Sequence, residues 1–285
     1  MSSSVGRVAS ITSFIKRIKK IESRKGYTLF YRGHSDDSYE SVPSVFREIK
    51  NGSSVGTYAD KEDTLFKNMV IQCPQEFVGC SSTLEYLVKM QHYGLPTRLL
   101  DLTTNPLVAL YFSCCSHYGT GKVGRNGEVL VYEVPDEDIK FFNSDTAAVI
   151  GNLAKMPRNF EYLKDKGRFL HEIQAEKPYF KDGINVKHLN SVQCVKAKLD
   201  NRRITQQSGA FFIFGMKNTI TQPAEIPYPY LCKRDNNTPV SIGVSQAGKK
   251  VMLSELSELS ISEASLFPEI DSVARYLKNE VVEAL

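Results

Sequence analysis

Ile11, Phe14, Ile15, Ile18 and Ile21 recur at the three- and four-residue intervals that line one face of a helix, so residues 10–25 are expected to form an amphipathic helix that Gly26 ends. YTLFYRG, residues 27–33, is rich in aromatic residues and reads as a short strand delivering Arg32 to its end, where Gly33 lets the backbone turn. Residues 34–60 look loop-rich, with a short helical piece at 45–49. Leu84, Leu87, Val88 and Gln91 then return at helical spacing, which predicts a helix over 82–92 that Gly94 and Pro96 stop. Asn105-Pro106 supplies an N-cap followed by proline at the first helical position, opening LVALYFSCC, a helix apolar on all sides and therefore central. GEVLVYEVP (127–135) and GAFFIFG (209–215) are the clearest later strands, residues 136–170 are charged and helical in part, 216–250 are polar, and Pro268 opens a helix expected over 268–283. These elements fit one α+β domain spanning residues 1–285.

Composition adds little to that picture except exclusions. The apolar and charged fractions, 41% and 24%, are those of an ordinary globular protein. The six cysteines form no C-x-x-C pair, and Cys114 and Cys115 sit in an apolar run that looks buried, so reduced thiols in a cytoplasmic protein are expected, with no metal site. No apolar run approaches the length of a membrane helix, and the N-terminus lacks a secretory h-region. Charge is uneven: seven basic residues stand against Glu22 alone between Arg7 and Lys25, while the last 35 residues carry seven acidic ones against Arg275 and Lys278. A basic helix attracts phosphate backbones or is a solvated face, and the sequence leaves both open.

Candidate chemistry concentrates in two separated segments, 31–34 and 91–101. Arg32, at the end of an aromatic strand, has the fork that reads phosphate or carboxylate, or else it caps a helix or pairs with Asp36 or Asp37. Arg98 and Asp101 lie between two apolar helices, where a lone charge is costly, so they are expected to pair with each other or with a ligand. Gln91, His92 and Tyr93 offer hydrogen-bonding groups at a helix end, His92 titrating near neutrality unless it is structural. In RRITQQSGAFF (202–212) two amides, Gln206 and Gln207, precede a strand, either to hold a hydroxyl or base edge or as a polar entry loop. The chain has no G-x-x-x-x-G-K-[ST], G-x-S-x-G or H-E-x-x-H motif, and GTGKVGRNG (119–127) precedes a strand, which suits a hairpin loop and not a phosphate cradle.

FYRGH, PSVFR (43–47), QHYGLPTRLLDLTTNPLVALYF (91–112), RITQQSGAF (203–211) and SLFPEIDSVARYL (265–277), in this order, resemble the FRG-domain family, whose Phe-Arg-Gly motif stands here as Tyr31-Arg32-Gly33. Leu102 occupies a position where the family usually has tryptophan. The resemblance extends to the three-part site of ADP-ribosyltransferases, and implies a mixed central sheet with flanking helices and an NAD-dependent mono-ADP-ribosyltransferase, a glycosyl transfer with NAD as substrate. It also implies a toxin of a toxin–antitoxin or phage-defence system, with an antitoxin partner. By that resemblance Arg32, His92, Gln207 and Asp101 are the catalytic candidates, and Tyr31, Arg32, Gly33, His34, Gln91, Tyr93 and Arg98 hold the NAD. Typical members of that superfamily carry a glutamate in the third element, where this chain has Gln206-Gln207. Glu85, Asp101 and Glu172 are the alternative carboxylates, and the sequence does not choose among them. The basic N-terminal helix with Arg202 and Arg203 favours nucleic acid, RNA before DNA, over protein as acceptor, with Tyr31, Tyr93 and Tyr111 as stacking rings. A non-catalytic nucleotide- or nucleic-acid-binding module and an NAD glycohydrolase are the alternatives.

Overall fold

A computed structural model describes residues 6–117, 124–198, 202–232 and 240–269. The strands are β1 (Tyr27–His34), β2 (Glu48–Asn51), β3 (Ser54–Thr57), β4 (Leu99–Thr103), β5 (Gly127–Pro135), β6 (Lys140–Phe141), β7 (Val192–Lys196), β8 (Gly209–Phe214) and β9 (Ser241–Val244). The helices are α1 (Ile11–Ile18), α2 (Glu62–Gln72), α3 (Thr83–His92), α4 (Pro106–Cys114), α5 (Asp145–Asn152), α6 (Tyr162–Glu176), α7 (Val186–Leu189), α8 (Arg202–Gln206), α9 (Lys249–Glu258) and α10 (Glu263–Leu266).

Seven strands form one sheet in the order β6-β7-β8-β4-β1-β5-β9, while β2 and β3 make a separate hairpin. The sheet is mixed, because β6 runs parallel to β7 and every other neighbour is antiparallel. Its two halves are zipped tightly: β1 matches β5 from Tyr27↔Pro135 to His34↔Glu128, and β4 matches β8 from Leu99↔Ile213 to Thr103↔Gly209. Between the halves, β1 and β4 share a single matched pair, Tyr31↔Thr103. The sheet therefore parts beyond that pair, alongside Arg32 and Asp101.

Alternation along the strands sorts the side chains. Phe30, Leu100, Leu102, Tyr132 and Phe212 fill a core on one face. The other face carries two cores. One, over β7, β8 and β4, packs Leu99, Val195, Phe211 and Ile213 against α3, α5 and α6. The second, over β1, β5 and β9, packs Tyr31, Val129, Val131 and Ile242 against α1, α4 and α9. The boundary between these two cores lies over the same parting of β1 from β4.

Helix α4 is central, as its all-round apolarity requires. Asn105 caps it through Leu107 N–H, and Val108, Ala109, Leu110, Tyr111, Ser113 and Cys114 are buried. Gly33 allows this packing: a Cβ there would collide with the Ala109 carbonyl oxygen and stand 2.7 Å from the Ser113 nitrogen. The glycine serves close approach, and the turn expected at Gly33 is not there, since β1 runs on through His34.

Several other expectations are corrected. The first helix ends at Ile18, where Lys19 caps it, well short of residue 25. The piece at 45–49 is a 3₁₀ turn, Ser44–Phe46, followed by the β2 hairpin strand. Residues 202–206 form α8 and not a loop, and Ser208, at φ 48°, turns the chain from it into β8. Cys114 is buried, its thiol pushed up to about 12 by desolvation, whereas Cys115 is exposed. The helix expected at 268–283 lies outside the described residues after Glu269. No helix among the described residues is long and apolar enough to cross a membrane.

Candidate functional site

The parting of β1 from β4 opens into a cavity of about 140 Å³ lined by Tyr31, Arg32, Gly33, Asp101, Thr103, Phe112, Arg203 and Gln207, among others. Arg32 alternates onto the side of Phe30 and His34, yet because the strands separate its guanidinium reaches across the gap. Nη1 donates to the Asp101 carbonyl oxygen at 2.8 Å and Nε donates to His34 Nε2 at 3.1 Å. A guanidinium has no acceptor, so His34 Nε2 accepts and its Nδ1 carries the proton toward Glu128 Oε1 at 3.3 Å. His34 is 3% exposed and stands behind Arg32 as an orienting group instead of lining the cavity. Burial lowers the Arg32 pKa, and the Asp101 charge acts against that shift. Arg32 is bonded to neither Asp36 nor Asp37, which face Arg125 and Arg7.

Asp101 stands opposite, on the face where α3 ends. Gln91 Nε2 donates to its Oδ1 at 2.7 Å, and the Gln91 carbonyl oxygen in turn accepts from the Thr97 hydroxyl, which fixes the amide's orientation. Oδ2 has no hydrogen-bond partner among the described residues. Asp101 is exposed although it sits in the middle of a core strand, with burial pattern buried-buried-exposed-buried-buried along LLDLT. A carboxylate left solvent-accessible between four buried neighbours is the main polar feature of the cleft floor.

A narrow second cavity of about 30 Å³, lined by Gln91, His92, Asp101, Arg203 and Gln207, among others, shares three of these residues with the first and reaches the end of α3. There His92 Nε2 lies 3.2 Å from Glu269 Oε1, and the His92 carbonyl accepts from Arg203 Nη1 at 3.3 Å. Burial lowers the His92 pKa, Glu269 opposes the shift, and Arg203 and Lys89 add to it. Gln207 donates through Nε2 to the Leu266 carbonyl at 3.1 Å, and its own carbonyl accepts from the Thr103 hydroxyl at 2.6 Å. Tyr93 lines a further cavity of about 420 Å³, with its hydroxyl 3.0 Å from Glu76 Oε2.

The structure thus brings together Tyr31, Arg32, Gly33, Gln91, His92, Asp101 and Gln207 around one cleft. It does not bring Arg98 there. Arg98 is 0% exposed, grips Glu62 through Nε at 2.9 Å and through Nη2, and donates to the Phe214 carbonyl at 3.0 Å. The expected pairing of Arg98 with Asp101 is therefore wrong: strand alternation points the two side chains to opposite faces, and a bidentate carboxylate from α2 satisfies the buried guanidinium. Of the other carboxylates, Glu85 is held by Lys198 beside the 420 Å³ cavity, and Glu172, on α6, pairs with Lys155 outside all three cavities. Thr103 and Phe112 also line the cleft, and Leu266, Phe267 and Glu269 touch its Gln207, Arg203 and His92. Only the motif SLFPEIDSVARYL hinted at Leu266, Phe267 and Glu269. Among the described residues no group of three or more histidines, cysteines and carboxylates could hold a metal ion.

No curated protein and no solved structure matches the chain. A family model does match it, over residues 27–120, and that model describes the FRG domain. The span takes in β1 with its Tyr31-Arg32-Gly33, the helix α3 that ends at His92, the strand bearing Asp101, and the helix that rests on Gly33, so the two segments flanking the parting of the sheet are both inside it. The chain is thus similar to the FRG domain over residues 27–120, about a third of its length.

Proposed function

We propose that the protein is an NAD-dependent mono-ADP-ribosyltransferase, with a nucleic acid, RNA before DNA, as its acceptor and a toxin–antitoxin or phage-defence setting as its context. The observation that carries this reading is that an arginine oriented by the Asp101 backbone carbonyl and the solvent-accessible Asp101 carboxylate line one cavity at the parting of β1 and β4. The reaction breaks the bond between ribose C1′ and the nicotinamide nitrogen, whose electron pair leaves with nicotinamide. The acceptor nucleophile then bonds to C1′ and gives up its proton to solvent or to a basic group. Positive charge grows on the ribose in the transition state, and a fixed anion nearby lowers its energy. Asp101 is assigned that role. The carboxylate is held from one side by Gln91, so little reorganisation is needed as the charge develops. Arg32 is assigned to the pyrophosphate, with His34 and Glu128 orienting it, and Gln207 to a ribose hydroxyl. Asp101 takes the place of the glutamate that the third element lacks.

Labelled NAD incubated with wild type and Arg32→Ala, in the presence of separate pools of RNA, DNA and cell protein, tests the reading. Label transferred to the RNA pool by the wild type alone is the expected result. Free ADP-ribose without labelled polymer would make the protein a glycohydrolase. Absence of both label and nicotinamide release would leave a nucleotide-binding module, which Gln207 in place of a glutamate would suit.

A further inference from the structure

His34 is 3% exposed and does not line the 140 Å³ cavity, yet it holds the guanidinium that does. Three side chains stand in a row: Arg32 Nε donates to His34 Nε2 at 3.1 Å, and His34 Nδ1 lies 3.3 Å from Glu128 Oε1. Strand register builds the row. Arg32 and His34 are two residues apart on β1 and share a face, and His34 is matched directly with Glu128 on β5.

The ring serves both neighbours at once only as the neutral Nδ1–H tautomer, its Nε2 lone pair accepting from Arg32 and its Nδ1–H donating to Glu128. A second proton goes on Nε2. The bond to Glu128 then survives, but the Arg32 Nε–H faces another N–H, and two cations stand in contact. Arg32 keeps the Asp101 carbonyl, at 2.8 Å, as its one hydrogen-bond anchor among the described residues, and a guanidinium held at one nitrogen can pivot. Nη2 has no hydrogen-bond partner among the described residues and is the edge left for a ligand, so its direction depends on both anchors. The other titratable groups around the ring are engaged elsewhere. Tyr132 on β5 gives its hydroxyl to Ser41 at 2.8 Å, and Tyr39, whose ring centroid is 6.3 Å from that of His34, bonds His117 Nε2 at 2.9 Å. The Asp101 carboxylate on β4 is held by Gln91, while Arg47 bonds the Val42 carbonyl and adds positive charge near Arg32. Helix α4 packs on the other face of β1, against Gly33.

We infer that His34 is a positioning residue that acts on the ligand through Arg32, and that anion binding at Arg32 requires the imidazole to be neutral. A proton taken from solvent onto Nε2 releases the guanidinium and weakens its hold on a phosphate-bearing ligand; loss of that proton restores it, and no other bond forms or breaks. The ligand class, a dinucleotide held by its pyrophosphate, rests on the NAD reading above. The coupling between the ring's proton and the guanidinium rests on the geometry alone.

NMR of the full chain with nitrogen-labelled histidine and arginine side chains, followed from about pH 8 down to about pH 5, tests the coupling directly. The Nδ1–H tautomer is expected at the upper end, and the Arg32 Nε–H resonance is expected to shift with the same midpoint as the His34 ring. NAD affinity of the wild type, by calorimetry, is expected to fall about 10-fold over that range, the effect of losing one hydrogen bond to a charged group. His34→Gln offers an amide oxygen to the Arg32 Nε–H and does not titrate. It is expected to bind NAD more weakly than the wild type at the upper end and with the same affinity at both ends. An Nε2–H tautomer, a ring that takes up no second proton over the range, or an Arg32 resonance indifferent to the ring's proton would overturn the inference. A fall of the same size in His34→Gln would also overturn it, by placing the titrating group elsewhere, as at His92. Coupled NMR transitions with no NAD binding by either protein at any pH would be a failure of the NAD reading, with the link between His34 and Arg32 upheld.

Discussion

Glu62 and Arg98 face each other where neither can reach water, so the cost of losing one partner is the cost of stranding the other. Glu62→Ala is expected to destabilise the fold by about 3–5 kcal/mol, and Glu62→Leu/Arg98→Met to recover much of that loss, as chemical denaturation would show. Arg32 differs in being half-exposed, so Arg32→Ala should remove NAD-dependent activity while costing about 1–2 kcal/mol, read as a drop of a few degrees in Tm. His92 gives a pH dependence. Its folded-state pKa is depressed by burial, so the unfolded chain takes up the proton at a higher pH than the folded chain does. The stability that neutral His92 contributes is therefore complete above its ordinary value of about 6.5 and drains away as pH falls below that toward the depressed value. An NMR titration should place the His92 midpoint below 6.5, and Glu269→Gln should move it lower still by removing the charge that opposes the shift. At this scale the sequence singled out Arg32, Gln91, His92, Asp101 and Gln207 as candidates, and the structure gathers them at one cleft. The partner of Arg98 was hidden because it lies 36 residues away on a helix whose apolar pattern is weak. Charge in a core-like segment showed that a partner had to exist, but not which one.

Elements with a strong local signature were legible: β1, α3, α4, β5 and β8 all stand within a residue or two of their expected bounds. β4 was not, because LLDLT shows no polar alternation and is too short to separate a strand from the helices on either side. Its identity as a strand comes from pairing with β8, a contact more than a hundred residues away in the chain. The same is true of β9, whose partner β5 is also more than a hundred residues away in the chain. Helix α4 depends on two glycines, since a Cβ on Gly127 would meet the Ser113 carbonyl and come within 2.8 Å of the His34 carbonyl, much as one on Gly33 would strike Ala109. Backbone atoms cannot move aside as a flexible side chain can. Gly33→Ala is therefore expected to cost at least about 3 kcal/mol or to prevent soluble expression, with thermal melting as the measurement. Arg32 in the same motif should tolerate replacement far better, which separates the motif's structural residue from its chemical one.

For the whole molecule, what matters is that a single sheet is sewn firmly on both sides and joined at its middle by one matched pair. Two cores on the same face leave a seam over that join, and the seam is where Arg32 and Asp101 line one cavity. Nothing in local periodicity reveals such a seam, because it is a property of how the halves meet. Asp101→Asn tests the central claim most directly, since the amide keeps an oxygen for Gln91 and removes only the charge. With Arg32 intact, NAD affinity by calorimetry should stay within a few-fold of wild type, while the rate of nicotinamide release falls by about 100-fold or more, the effect expected of losing a fixed charge at the reacting centre. Nicotinamide release at the wild-type rate from Asp101→Asn would contradict the assignment of this carboxylate, and with it the account of the cleft as a transferase site.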